Sequence, residues 1–185
     1  YLSMAFNGVI ENSTIAHTSD LRGLSENVQI WDGEVHSSGM TEPTGLSWFV
    51  EQALPGNISV ILVDLSTRTQ VDMIQESEHG LGLLDERYAR QVKIVSGSPE
   101  AVALAIDDIL SLVPAELSLD GNYPNPFNPV TTIRFGLPEP RRVQLSIVNI
   151  LGQEVITLLN DWQDLGRYEV SWLGVDQQGK AVPPG

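Results

Sequence analysis

"NYPNPFNPVTTIRFGLPEP", residues 122–140, changes character halfway along its length. Its first eight positions hold three prolines and three asparagines. Each proline holds φ near about −65°, removes a backbone donor and biases the residue before it away from helix. Tyr123, Asn125 and Asn128 precede Pro124, Pro126 and Pro129, so this segment is extended with turns and fits neither a helix nor an inner strand. From Thr131 onward the pattern alternates. Ile133, Phe135 and Leu137 fall on one side, Thr132 and Arg134 on the other, which is the signature of a strand with one buried face.

The leader has a physical role of its own. Asn122, Asn125 and Asn128 can close local turns on the backbone. Tyr123 and Phe127 are the expected anchors, each able to bury on the order of 150–250 Å². Together they suggest a stiff brace that covers a sheet edge and sets the register of the strand that follows, the alternative being a proline-rich spacer that docks nowhere.

Downstream, "RVQLSIVN" repeats the alternation with Val143, Leu145 and Ile147, and "ILGQEVITLL" reads as the turn of a hairpin around Gly152 with its return strand. "GRYEVSWLG" begins at Gly166 and sends Tyr168, Val170 and Trp172 inward before Gly174, and "VDQQGKAVPPG" is a turn at Gly179 into a final element. Strands at about ten-residue spacing with turns between them suggest a sandwich.

Upstream, Ser98, Pro99 and Glu100 form a helix start: an N-cap, a proline at the first helical position and an acid in the first turn. Val102, Ala105 or Ile106, Ile109 and Val113 follow at helical spacing, with Asp107 and Asp108 on the other face, until Pro114 ends the pattern. Before it, "VQIWDGEV" reads as strand residues around an Asp32-Gly33 turn, and "LSWFV" as another apolar run. "NISVILVDLSTRTQVDMI" is a hairpin with Ile58, Val60 and Leu62 on one face, and "YARQVKIV" is a last strand before Gly97. The expectation is an all-β chain of two antiparallel β-sandwich domains, residues 1–97 and 117–185, joined by a linker over 98–116 that carries a short helix.

Composition narrows the function classes. The net charge of −14 repels phosphate backbones and anionic headgroups, so nucleic acid is not an expected partner. With no cysteine, thiol nucleophiles, thiolate metal sites and disulfides are excluded. No apolar run approaches the roughly 20 residues of a membrane span. His17, His36 and His79 lie far apart without ligand spacing and read as solvated or turn histidines. No nucleophile elbow or phosphate-cradling glycine loop is present, so no enzymatic activity is expected. Asp32, Glu34, Asp64, Asp72, Asp85 and Glu86 are loop carboxylates of the kind that hold calcium in extracellular β modules, although none has the twelve-residue calcium-loop spacing. No cofactor is predicted beyond that opening for calcium.

"NYPNPFNPVTTIRFGLPEP", "VQLSIVNILGQEV", "GRYEVSW" and "DQQGKAVPPG", in unbroken order over about residues 117–185, resemble the type A C-terminal sorting domain of the bacterial type IX secretion system. They also resemble the related immunoglobulin-like domain of the flagellar hook cap protein. The positions that carry the likeness are the leader from Asn122 to Pro129 together with Gly152, Gly166, Trp172, Gly174 and Gly179. The resemblance implies a small immunoglobulin-like sandwich without catalytic activity, placed at the end of secreted or cell-surface proteins of Bacteroidota and related phyla. The implied partners are the outer-membrane export machinery and the cargo domains that precede the chain. The N-terminal region is similar to the β domain that often precedes this sorting domain. Leu173 stands where the family usually has an acidic or amide residue, and the family continues beyond "PPG" with a closing strand, so an unfilled sheet edge is expected.

Two alternative readings use other features. Trp31, Trp48, Trp162 and Trp172 could stack sugars in a polysaccharide-binding module, with Trp162 in a polar loop the best exposed. Alternatively Tyr1, Ser3 and Ala5 alternate with Leu2, Met4 and Phe6 as a strand would, which suggests self-assembly by strand donation into an open edge.

Overall fold

The computed structural model describes residues 13–15, 28–37, 43–49, 54–85 and 87–183, with only the backbone given for residues 13–15 and Ser37. Among the described residues the structure is mostly strand with one short helix and all strand pairs are antiparallel, and the chain divides into two compact units, Tyr1–Ser111 and Leu112–Gly185.

Unit 1 contains β1 (Ser13–Ile15), β2 (Gln29–Ser37), β3 (Thr44–Ser47), β4 (Ser59–Asp64), β5 (Thr69–Asp72), β6 (Glu78–Gly82) and β7 (Arg90–Gly97), followed by α1 (Pro99–Leu112). A five-stranded sheet runs in the order β1-β2-β7-β4-β5, and β3 pairs with β6 separately. One core joins the two sheets: Val35, Val60, Leu62, Val92 and Ile94 of the larger meet Leu46 and Leu81 of the smaller, with Trp48, Ile58 and Met73. The Trp48 indole N–H donates to the carbonyls of Met73 at 3.0 Å and Glu76 at 2.9 Å, so its one polar atom is satisfied inside the core.

The β4–β5 hairpin forms where the alternation places it, and its turn carries Arg68 at φ 58°. Asp32-Gly33 is not a turn: β2 runs through both residues, paired to β7 along its length. Two cross-strand facts favour the straight path. Asp32 sits opposite Lys93 and forms an ion pair with it. A Cβ on Gly33 would lie 3.0 Å from Val92 Cγ2, so the glycine admits close packing rather than reversing the chain. Strand β6, "EHGLG", has no counterpart among the sequence expectations because two of its five residues are glycines.

In α1 the Ser98 hydroxyl accepts from Ala101 N at 3.4 Å and the Ser98 carbonyl from Val102 N at 2.9 Å, which caps the first turn. Val102, Ile106, Ile109 and Leu110 form its buried face. Arg68 donates to the Leu110 carbonyl at 2.9 Å, tying the helix end to the β4–β5 turn.

Unit 2 contains β8 (Ser118–Tyr123), β9 (Thr131–Leu137), β10 (Arg141–Val148), β11 (Glu154–Gln163) and β12 (Gly166–Trp172). They form a three-stranded sheet, β12-β9-β8, and a two-stranded sheet, β10-β11. Ile133, Phe135, Leu137 and Trp172 are buried, whereas Val143, Leu145 and Ile147 of β10 are only half-buried. Pro114, which ends the helical pattern, lies over Gly136: a Cβ there would meet Pro114 Cγ at 3.0 Å and Ser118 Oγ at 2.9 Å.

Candidate functional site

The leader occupies the edge of the three-stranded sheet. Asn122 and Tyr123 end β8, which pairs with β9 through Asn122↔Ile133 and Tyr123↔Thr132, and the chain then loops back to Thr131. The bonds before Pro124, Pro126 and Pro129 are cis. A small polar network closes the loop. The buried Thr131 hydroxyl donates to the Pro124 carbonyl at 2.8 Å, and Asn122 Nδ2 donates to Thr131 Oγ1 at 3.0 Å. Asn125 Nδ2 reaches Asn122 Oδ1 at 3.5 Å. Thr131 is the member that sequence reasoning passed over, because in an alternating strand it reads as an ordinary polar residue.

The two aromatic residues of the leader diverge. Phe127 is half-buried, with its ring 4.8 Å from that of Trp172. Tyr123, expected as a second anchor, is 78% exposed. As the last residue of edge strand β8 it follows the alternation of the strand outward, while the turn chemistry after Pro126 brings Phe127 in.

Opposite Phe127 the chain turns at Trp172, Leu173 and Gly174. The Trp172 indole donates to the Val175 carbonyl at 2.8 Å. Gly174 has φ 68°, and a Cβ at that position would fall 2.4 Å from the Pro129 carbonyl oxygen and 3.4 Å from the Phe127 ring. No other residue fits so close to the leader backbone. Leu173 is exposed. The structure therefore brings Asn122, Pro124 and Asn125 together around Thr131, and Phe127, Pro129, Trp172 and Gly174 together beside them. Pro126 and Asn128 stay exposed.

The remaining glycines serve separate turns. At the β10–β11 tip Asn149 Oδ1 accepts from Leu151 N at 2.9 Å and Gln153 N at 3.1 Å, and Gly152 takes φ 76°. Gly179, φ 79°, lies in a turn built on Asp176, whose carboxylate accepts from Gln178 N and Lys180 N, both at 2.9 Å. Gly166 opens β12 with φ 145°. Nearby, Tyr168 stacks on Phe135 at 5.1 Å and donates to the Asp164 carbonyl at 2.9 Å. Burial, together with the Asp164 charge, pushes its phenol above the ordinary value.

The described carboxylates among those considered for calcium have protein partners. Asp64 is fully buried and accepts from Arg90 Nη2 at 3.0 Å and Nε at 3.2 Å. Asp72 accepts from Ile74 N and Gln75 Nε2, both at 2.9 Å, and Asp85 from Arg87 Nε at 2.8 Å. Glu34 stands 3.5 Å from His36, and Glu86 lies outside the described residues. Among the described residues no three His, Asp or Glu side chains are grouped as a metal would need. His79 is not a solvated turn residue: it sits in β6 with Nε2 3.4 Å from Asp64 Oδ2. His17 lies outside the described residues.

Trp48 and Trp172 are buried, and Trp162 lies half-buried in β11 opposite Arg142 rather than in a loop. Trp31 is half-buried in β2, packed against the unit 1 core. Residues 1–6 lie outside the described residues, and among those described no helix is long and apolar enough to cross a membrane.

Residues 122–172 match the family model of the secretion system C-terminal sorting domain. No curated protein and no solved structure matches the chain. The matched segment runs from Asn122, in the leader network, to Trp172, the residue that faces Phe127.

Proposed function

We propose that residues 117–185 are the sorting element of a larger secreted protein, recognised by the type IX export machinery of the outer membrane. Residues 1–97 act as a β domain that spaces this element from the cargo ahead of it. The protein's destination is the cell surface or the medium, and its role is recognition without catalysis.

The observation that carries this reading is the family match over residues 122–172. Physical support comes from the leader. A recognition surface held rigid before binding loses less conformational entropy on docking. Three prolines, the Asn122–Thr131 network and the Phe127–Trp172 contact hold this segment in one shape. In this reading the whole segment is an immunoglobulin-like module.

A reporter enzyme fused ahead of the complete chain tests the proposal in a bacterium that has the machinery. The reporter is expected on the surface or in the medium, and in the periplasm when the machinery is deleted or the chain is omitted. Release that is independent of the machinery, or retention of the fusion in both strains, overturns the reading.

A further inference from the structure

The β4–β5 turn of unit 1 holds a strained residue. Arg68 has φ 58° and is the one non-glycine residue at positive φ among the described residues. Glycine or asparagine takes this conformation at lower cost, so a long side chain here has a reason outside the turn. The turn itself is firmly built. Asp64, which is buried, accepts through Oδ1 from Ser66 N at 3.1 Å and Thr67 N at 3.4 Å, and the Thr67 hydroxyl donates to that of Thr69 at 2.9 Å. Arg68 is therefore presented from a fixed base.

The reason lies at the end of α1. A helix leaves its last four carbonyls without partners of its own, and the sequence of α1 does little to meet them. It has no basic residue in its last turn, and Val113 and Pro114 follow where a glycine would close the end. Asp107 and Asp108 place two negative charges near the negative end of the helix dipole. One local bond helps: the Ser111 hydroxyl donates to the Asp108 carbonyl at 2.7 Å. Arg68, 42 residues away in sequence, donates to the Leu110 carbonyl at 2.9 Å and brings a positive charge to this end.

From the strained turn and the poorly capped helix we infer that Arg68 is a remote cap on α1, and that the last helical turn is a latch which opens when this one contact is released, ahead of the unfolding of unit 1. The strain at Arg68 is offset by what the guanidinium does at the helix end. Opening removes the burial of Ile109 and Leu110 but leaves Val102 and Ile106 in place, so it is a partial step. Ser111 and Leu112 are already exposed. Four residues passing from helix to extended chain lengthen the connection that follows α1 by about 7 Å. Slack is thus stored in the helix end and held by a residue of the β4–β5 turn.

Native-state hydrogen exchange on the full chain tests the inference, with the amides of residues 109–112 read against those of residues 60–63 in β4. Arg68→Gly is the variant of choice, because glycine is at home at this φ and the turn still forms. Exchange at residues 109–112 is expected to quicken by about tenfold or more while the β4 amides keep their rates. Arg68→Lys, which keeps the charge but not the planar fork, should fall between. Adding Leu112→Lys to Arg68→Gly should return much of the protection, since a basic side chain in the last turn supplies locally what Arg68 brought from afar. Unchanged exchange at residues 109–112 in Arg68→Gly overturns the inference. Equal quickening in β4 overturns it too, because Arg68 would then support unit 1 as a whole rather than latch one turn.

Discussion

The Phe127 and Trp172 rings lie 4.8 Å apart at an interplanar angle of 47°. This contact fastens the proline leader to the end of β12. Phe127→Ala is expected to destabilise unit 2 by about 1–3 kcal/mol, less than a fully buried phenylalanine because Phe127 is only half-buried. For a domain of this size each kcal/mol lowers Tm by roughly 4–8 °C. Calorimetry of the chain should show one transition moving and the other fixed. An unmoved transition would identify the leader as a free spacer.

Gly174→Ala should cost more than its change in volume suggests. The substitution adds a Cβ 2.4 Å from the Pro129 oxygen at a residue whose φ is 68°, so it combines backbone strain with a clash. A loss of about 2–4 kcal/mol is expected. Gly152→Ala makes the control: its φ is 76° with nothing within 4 Å of the added carbon, so only the strain of about 1–2 kcal/mol applies. Equal losses for the two would mean that the close approach to the leader contributes nothing.

Thr131→Val keeps the shape of the side chain and removes the donor to Pro124 and the acceptor for Asn122. Because Thr131 is buried, a cost of about 1–3 kcal/mol is expected. Asn122→Ala should be milder, and a double-mutant cycle between them should give a coupling of about 0.5–3 kcal/mol. Denaturant titration reads all three, and strict additivity would dismiss the network.

Asp64 gives unit 1 an acid-dependent contribution to stability. Burial acts to raise its pKa, but hydrogen bonds and charge from Arg90, with hydrogen bonds from Thr67, outweigh burial and hold the carboxyl below its ordinary value. A carboxyl lowered in the folded state stabilises fully above its unfolded pKa of about 3.9, and the benefit fades as pH falls through the folded value. The Tm difference between wild type and Asp64→Asn should therefore shrink as pH falls below about 4. Asp64→Ala should cost about 3–5 kcal/mol, since it leaves the Arg90 charge without its partner.

Local chemistry made most of the strands and the helix legible. Ile133, Phe135 and Leu137 alternate because one face of β9 is buried, and Ser98-Pro99-Glu100 starts a helix by satisfying its first donors. Where a residue's job depends on a distant neighbour, local pattern misleads. Asp32-Gly33 has turn chemistry, yet Lys93 and Val92 across the sheet hold it straight. Trp162 has polar neighbours in sequence but lies in β11 opposite Arg142. Within the site, the prolines and glycines announce themselves through backbone constraint, whereas Thr131 and the outward turn of Tyr123 emerge only from the closed loop.

The buried ion pair of unit 1 has a consequence for strand alignment. Asp64 lies opposite Val92 in the β4–β7 register, and Arg90 follows on the same face of β7. Sliding β7 by a single position would send the guanidinium to the reverse side of the sheet and leave the carboxylate stranded among aliphatic groups. The pair therefore guards the alignment as well as the stability, because a one-position slip would separate two charges that the correct arrangement joins.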